Sequence, residues 1–203
     1  MNELVMQKLS YGLFVLTAKE GEKDNGCIIN TVTQVANKPN RISISVNKAN
    51  YTHDMILRTG EFNVSILSED AKFEVFKHFG FQSGRDVDKM ADLTFSRAAN
   101  GIAYIEDMCN AFISGKVISS IDVGSHTLFI ADVTDGEVYS DTPSATYAYY
   151  FSNIKPKPQP NPAEKKKGWI CTICGYIYEG EVLPPDFICP VCKHPASDFK
   201  RLE

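Results

Sequence analysis

Neither Gly-x-Gly-x-x-Gly nor Gly-x-x-x-x-Gly-Lys occurs in the 203 residues, so the two glycine-rich loops that most often cradle a nucleotide phosphate are absent. Any cofactor is therefore held by other means. Long apolar runs are missing too: no stretch approaches the roughly 20 residues that cross a bilayer. The opening residues, Met1 to Lys8, lack a basic start followed by an apolar segment, the pattern of a secretory leader. These absences lead us to expect a cytoplasmic protein with no membrane partner. Positive charge is scarce and scattered, 21 Lys and Arg against 25 Asp and Glu for a net charge of -4. The basic face that nucleic acid requires is thus not there, and no nucleic-acid partner is expected. There is no internal repeat.

Cysteine is rare over most of the chain and then abruptly dense. Cys27 and Cys109 stand alone and are expected to be small buried hydrophobes. Cys171, Cys174, Cys189 and Cys192 crowd into 22 residues as two Cys-x-x-Cys pairs. In a chain expected to carry no leader, such pairs point to a thiolate metal site and not to a disulfide framework. Four thiolates converging tetrahedrally suit zinc or iron, and geometry alone does not choose between them. The neighbours bear on that choice. Gly175 lets backbone N–H groups turn toward sulfur and Pro190 stiffens the second knuckle, and hydrogen bonds to sulfur help set a reduction potential. Trp169, Tyr176, Tyr178, Phe187 and Phe199 supply the aromatic cover that a unit of 36 residues needs for stability.

The clearest boundary is the segment SNIKPKPQPNPAEKKKG, where prolines 156, 158, 160 and 162 alternate with polar residues. Alternating proline favours a semi-rigid extended tether. The expected organisation is residues 1–151, a linker at 152–167, and a small unit at 168–203. Upstream of the linker, β-branched and aromatic runs read as strands: Tyr11 to Ala18, Cys27 to Val35, Arg41 to Val46, Phe62 to Leu67, Ala111 to Ile118 and Thr127 to Val133. Two helices are expected. One runs from Thr52, as N-cap, to Thr59 before Gly60; the other covers Glu69 to Phe76. The fold class is therefore mainly β, a closed or split barrel with a few short helices. The run Tyr147 to Phe151 reads as an edge strand of the core, or as the closure of a pocket or dimer interface.

At the C-terminus, the order Cys-Thr-Ile-Cys-Gly-Tyr-Ile-Tyr, then Pro184-Pro185-Asp186-Phe187-Ile188-Cys-Pro-Val-Cys and Phe199, resembles rubredoxin. The 14 residues between Cys174 and Cys189 make a shorter loop than in free-standing rubredoxins; in this the segment is closer to the rubredoxin-like ends of rubrerythrins. The resemblance implies one iron held by the four cysteines and a role in passing single electrons. NAD(P)H delivers electrons in pairs, and a flavin bridges that mismatch.

Three segments of the larger unit resemble the flavin reductase family, whose members bind FMN in a split β-barrel and usually form homodimers. The first is Asn30-Thr31-Val32-Thr33-Gln34-Val35, where the family's backbone contacts the isoalloxazine ring; Asn30, Thr31, Val32 and Thr33 are carried over. The second, Asn47 to His53, leads into a helix whose free N–H groups, with Lys48, Asn50 and Thr52, are expected to hold the FMN phosphate. The third runs from Phe79 to Lys89, and Ser83, Gly84 and Lys89 are carried over for the phosphate or ribityl chain. Gly124-Ser125-His126 stands where the family has Gly-Asp-His, which implies a nicotinamide-side role for His126, with Ser125 replacing the aspartate.

Together the two halves resemble the high-molecular-weight rubredoxin family. That resemblance implies an FMN-dependent oxidoreductase that takes hydride from NADH, reduces the iron, and donates to a flavodiiron protein reducing nitric oxide or dioxygen. The alternatives are an electron-relay adaptor with no nicotinamide site, and a colourless zinc ribbon on a barrel with no redox role.

Overall fold

The computed structural model describes residues 3–156 and 168–202. After a 3-10 turn at Glu3–Lys8 come β1 (Phe14–Glu20), β2 (Lys23–Ile29), β3 (Val32–Asn37) and β4 (Asn40–Asn47). Helix α1 (Tyr51–Thr59), β5 (Glu61–Leu67) and helix α2 (Phe73–Gly80) follow, then the two-residue strands β6 (Ser96–Arg97) and β7 (Ala103–Tyr104). The long strands β8 (Cys109–Asp122) and β9 (His126–Val138) precede a short helix α3 (Tyr147–Tyr149) that runs into a π turn at Tyr150–Ile154. The C-terminal unit has β10 (Gly168–Cys171), β11 (Ile177–Tyr178) and β12 (Phe199–Leu202) in the order β11-β10-β12.

The main sheet has seven strands in the order β2-β1-β5-β8-β9-β4-β3, antiparallel throughout. Its two outermost strands, β2 and β3, are consecutive in the chain and separated only by Asn30 and Thr31. The sheet must therefore curl until its edges meet, and because β2 and β3 do not pair, the result is a barrel split along one seam. The expected mainly-β barrel is what the chain forms.

β1 is buried on both faces, and its alternation sorts the core into two layers. Phe14, Leu16 and Ala18 point into the barrel with Ile44, Val46, Phe62, Val64 and Phe129, and Met55 and Ile56 of α1 close that layer. Leu13 and Val15 point outward under α2, against Val75, Phe76, Phe79 and Tyr150. Cys27 and Cys109 are buried members of these layers, as expected. Gly60 ends α1 in the left-handed region (φ 73), and its N–H donates to the Ile56 carbonyl.

Several expectations are corrected. α1 begins at Tyr51 with Asn50 as N-cap, so Thr52 lies inside the first turn. The second helix lies at Phe73–Gly80 and not at Glu69 to Phe76: Ser68 takes up a turn, accepting the Ala71 N–H at its carbonyl, and the apolar stripe of Phe73, Phe76 and Phe79 sets the helix further on. The single strand expected over Cys27 to Val35 is two strands broken at Asn30 and Thr31. Tyr147 to Phe151 is helical, not an edge strand. Residues 157–167 of the expected linker lie outside the described residues. Among the described residues no helix is long and apolar enough to cross a membrane.

Phe62 is fully buried at the centre of the barrel layer. Phe62→Ala is expected to cost about 3–5 kcal/mol of stability, read by urea denaturation; a loss below about 1 kcal/mol would contradict this core assignment.

Candidate functional site

The break that makes the seam also makes a cleft. Thr31 holds the break in place, its hydroxyl donating to the Ser45 carbonyl at 2.9 Å. A cavity of about 240 Å³ opens there, lined by Asn30 and Thr31 from the β2–β3 link, Ser45 and Asn47 from β4, Asn50 from the start of α1, and His126 from the β8–β9 hairpin. A second cavity of about 280 Å³ shares Ile28, Ile29 and Asn30 with it and extends toward Phe81, Tyr147, Tyr150 and Phe151. The two meet at the end of β2 and together have the scale of a small-molecule site, about 300–1,000 Å³.

The start of α1 is prepared for an anion. The Asn50 side chain makes no capping bond; the His53 N–H turns to the Asn50 carbonyl at 3.1 Å, and the dipole of the helix start favours an anion. Two cations flank that turn: Lys23 Nζ lies 4.7 Å and the Arg85 guanidinium 5.0 Å from the centre of the Tyr51 ring. Arg85 is tied to Asp54 at 2.5 Å. Asp54 also meets His53 Nδ1 at 3.0 Å, and His53 Nε2 meets the Thr127 hydroxyl at 2.8 Å. The bonds from His53 and Arg85 hold the Asp54 carboxyl below the usual carboxylate range. This chain of contacts runs from α1 to β9 and sets Arg85 beside the helix start. The sequence marks Arg85 only by its position two residues after Ser83, in the segment expected to reach phosphate. Helix start, cations and contiguous clefts fit a phosphate-bearing aromatic ligand such as FMN.

The remaining expected residues fall into two groups. Asn30, Thr31, Asn50 and His126 are brought together at one cleft. Ser83 lies close to the helix start through its neighbour, its hydroxyl accepting the Arg85 N–H at 3.1 Å. The others are placed elsewhere. Val32 packs against the barrel core and Thr33 is exposed on β3. Lys48 pairs with Asp122 at 2.6 Å, and its backbone N–H donates to the Ser125 carbonyl, so it braces the His126 hairpin. Thr52 is fully buried, its hydroxyl accepting from the Asn25 amide at 2.8 Å. Gly84 is packed so close to the Asn25 amide that no side chain fits there. Lys89 corrects its expected role most clearly. Only 3% exposed, it donates to the Gly26 and Phe79 carbonyls at 3.0 and 2.9 Å, and burial pushes its pKa down. It clamps β2 to the end of α2.

The four cysteine sulfurs all lie within 4.8 Å of one another, with Cys171–Cys192 and Cys174–Cys189 at 3.5 Å. A tetrahedron with metal–sulfur bonds of about 2.3 Å has edges of about 3.8 Å, so the donor set fits one ion. The two knuckles are built alike: the Gly175 N–H donates to the Cys171 carbonyl and the Lys193 N–H to the Cys189 carbonyl, both at 2.9 Å. Both turn residues are left-handed, Gly175 at φ 81 and Lys193 at φ 61. Backbone N–H groups reach the sulfurs, from Tyr176 to Cys174 and from Val191 and Cys192 to Cys189. Burial pushes the Cys174 thiol up to about 11, a cost that metal coordination removes by displacing the proton. Cys171, Cys189 and Phe199 form the core, with Trp169, Tyr176, Tyr178 and Phe187 against it, as expected.

Residues 6–157 match the flavin reductase like domain, and residues 169–200 match the rubrerythrin, rubredoxin-like domain. The chain belongs to the flavin reductase-like family. Its similarity to the high molecular weight rubredoxin of Moorella thermoacetica is 32% identity over 229 residues, covering the whole of both chains. It is 35% identical over 150 residues to a ferric-chelate reductase (NAD(P)H) of Archaeoglobus fulgidus, covering 74% of this chain and 89% of that one. An NADH:FAD oxidoreductase of Streptomyces globisporus superposes with a TM-score of 0.64 at 21% identity, over 70% of this chain and 84% of that chain, a likeness that speaks for the fold. This chain is thus a flavin reductase-like oxidoreductase with a C-terminal rubredoxin-like domain whose four cysteines fit one iron.

Because Asp54 is held below its unfolded pKa, its contribution is fully present above about pH 4 and lost as pH falls through its folded value. The stability gap between the wild type and Asp54→Asn, followed by urea denaturation, is expected to stay constant from neutral pH to about 4 and to close below it. A gap unchanged into strong acid would contradict this assignment.

Proposed function

We propose that the chain carries electrons from NADH through FMN to its iron, and from there to a flavodiiron protein that reduces nitric oxide or dioxygen. The observation that carries this reading is that the seam cleft and the four-cysteine knuckle border the same cavity, in which Asn30 and Ile173 both take part. When bound, FMN accepts hydride and gives up electrons singly, which is the conversion a one-iron centre requires.

The chain's own residues position and exclude. Asn30 and Thr31 offer main-chain and side-chain hydrogen bonds to the ring at the seam. The first turn of α1, with Asn50, Ser83 and Arg85, receives the phosphate. His126, its Nδ1 2.8 Å from the Ser125 hydroxyl, borders the cleft on the side assigned to nicotinamide. Ile28, Phe81, Tyr150 and Phe151 keep water from the far side of the cavity. Val32, Thr33, Lys48, Thr52, Gly84 and Lys89 support this arrangement without lining the seam cleft. We take the barrel unit to run through the helical turn that ends at Ile154, followed by the linker and the iron domain from Gly168. A homodimer is supported by apolar residues left exposed on β3 and the β8–β9 hairpin, Val35, Ile118, Ile121 and Val138.

The test is nitric oxide consumption by a purified flavodiiron protein, with NADH and this chain supplied under anaerobic conditions. Loss of nitric oxide is expected to require both proteins and to stop with Cys189→Ser, which removes a fully buried ligand. Wild-type rates with Cys189→Ser would take the iron off the route, and no NADH-linked consumption would remove the flavodiiron partner.

A further inference from the structure

We propose that the iron is reduced by the flavin of its own chain, across a docking interface formed by the helical turn at residues 147–155 and the tips of the two cysteine knuckles. The inference rests on the proposed NADH–FMN–iron route and adds where the second transfer occurs.

Three observations place the knuckles there. The cavity that shares Asn30 with the seam cleft is walled on one side by Tyr147, Tyr150 and Phe151 and on the other by Ile173 and His194 of the iron domain. Ile173 lies inside the first Cys-x-x-Cys, and His194 follows the second, its carbonyl accepting the Cys189 N–H at 2.8 Å. These wall residues therefore adjoin Cys174 and Cys192, the two half-buried ligands; Cys171 and Cys189 are buried inside the domain. Lys155 then ties the barrel to the knuckle. Its ammonium donates to the Thr172 carbonyl at 2.7 Å and lies 4.9 Å from the centre of the Phe151 ring. One side chain is thus held by the helical turn and by the ligand loop together.

The aromatic side of the interface is itself anchored to the core. Tyr150 packs on Phe76 of α2 with ring centroids 4.6 Å apart, and Phe151 packs edge-on against Tyr147 at 4.9 Å. The π turn is closed by the Lys155 N–H donating to the Tyr150 carbonyl at 2.7 Å, which sets the direction of the Lys155 side chain. Reach does not decide between chains. Twelve residue steps from Pro156 to Gly168 span up to about 40 Å, enough for a neighbouring barrel as well. The Lys155 clamp and the shared cavity are what favour the chain's own barrel. The stoichiometry is NADH + 2 Fe(III) → NAD⁺ + H⁺ + 2 Fe(II). With one iron per chain, each NADH loads that centre twice, and a one-electron acceptor protein reoxidises it between loadings.

Paramagnetic broadening in ¹⁵N NMR spectra of the full chain tests the geometry without turnover. The zinc-loaded chain is the diamagnetic reference, since the four thiolates hold either metal. Amide signals of Ile28 to Asn30 and Tyr147 to Phe151 are expected to broaden in the iron form. They are expected to stay sharp when labelled zinc-form chains have exchanged subunits with excess unlabelled iron-form chains. Broadening that appears in that mixed sample as well would place the transfer between subunits, and no broadening in the iron form would remove the interface; either overturns the proposal. Lys155→Gln is expected to sharpen these signals and to slow iron reduction roughly tenfold, the order of one hydrogen bond from a charged donor, with Lys155→Arg restoring both. Unchanged spectra and rates in Lys155→Gln would overturn the clamp. Bleaching of both chromophores by NADH without broadening refutes the docked geometry alone, whereas broadening without NADH bleaching refutes the electron route.

Discussion

Everything at the cleft follows from a constraint of connectivity: β2 and β3 are neighbours in the chain and opposite edges of the sheet. Two residues, Asn30 and Thr31, must span from one edge to the other, so the sheet can only curl. The backbone groups at that break are withheld from the strand ladder and left pointing at a cleft, where burying them without a partner would be costly. The Thr31 carbonyl is satisfied by the Ser45 N–H at 3.3 Å, and the Thr31 hydroxyl donates back to the Ser45 carbonyl. Asn30 and Thr31 line that cleft. A barrel whose edges had paired would be more regular and would have no such cleft.

The second requirement, holding a phosphate without a glycine-rich loop, is met by electrostatics distributed over three elements. The helix start supplies oriented N–H groups, and the loop after α2 brings Arg85 to it. The Asp54–His53–Thr127 contacts fix the distance between helix and sheet. Arg85 and Asp54 are only partly buried, so the pair itself adds modestly to stability. Its larger effect is positional. Lys89 shows the opposite use of a cation: removed from water, it donates to the two backbone carbonyls of Gly26 and Phe79 and so ties β2 to α2.

The iron domain was readable from sequence because its chemistry is local. Two Cys-x-x-Cys knuckles with their aromatic cover specify ligands, turns and core within 36 residues. Strand positions in the barrel were readable for a similar reason, since period-2 alternation as in Ile42, Ile44 and Val46 reports a buried face directly. What stayed hidden was non-local. The run from Cys27 to Val35 is continuously β-prone, and only pairing with two different partners, β1 and β4, reveals the break at Asn30 and Thr31. Lys89 and Thr52 look like solvated polar residues until α2 and β2 close over them. The helical turn at 147–155 is rich in aromatic residues that suit a strand, yet its packing on α2 made it a helix.

The barrel and the knuckle thus form one device in which each half supplies what the other lacks: a two-electron entry and a one-electron exit. Anaerobic addition of NADH to the purified chain, with the flavin and ferric–thiolate bands followed separately, tests this most directly. The account predicts that both bands bleach, the flavin band first and the ferric band after it. A spectrum that NADH and NADPH leave unmoved, yet that dithionite bleaches, would contradict it.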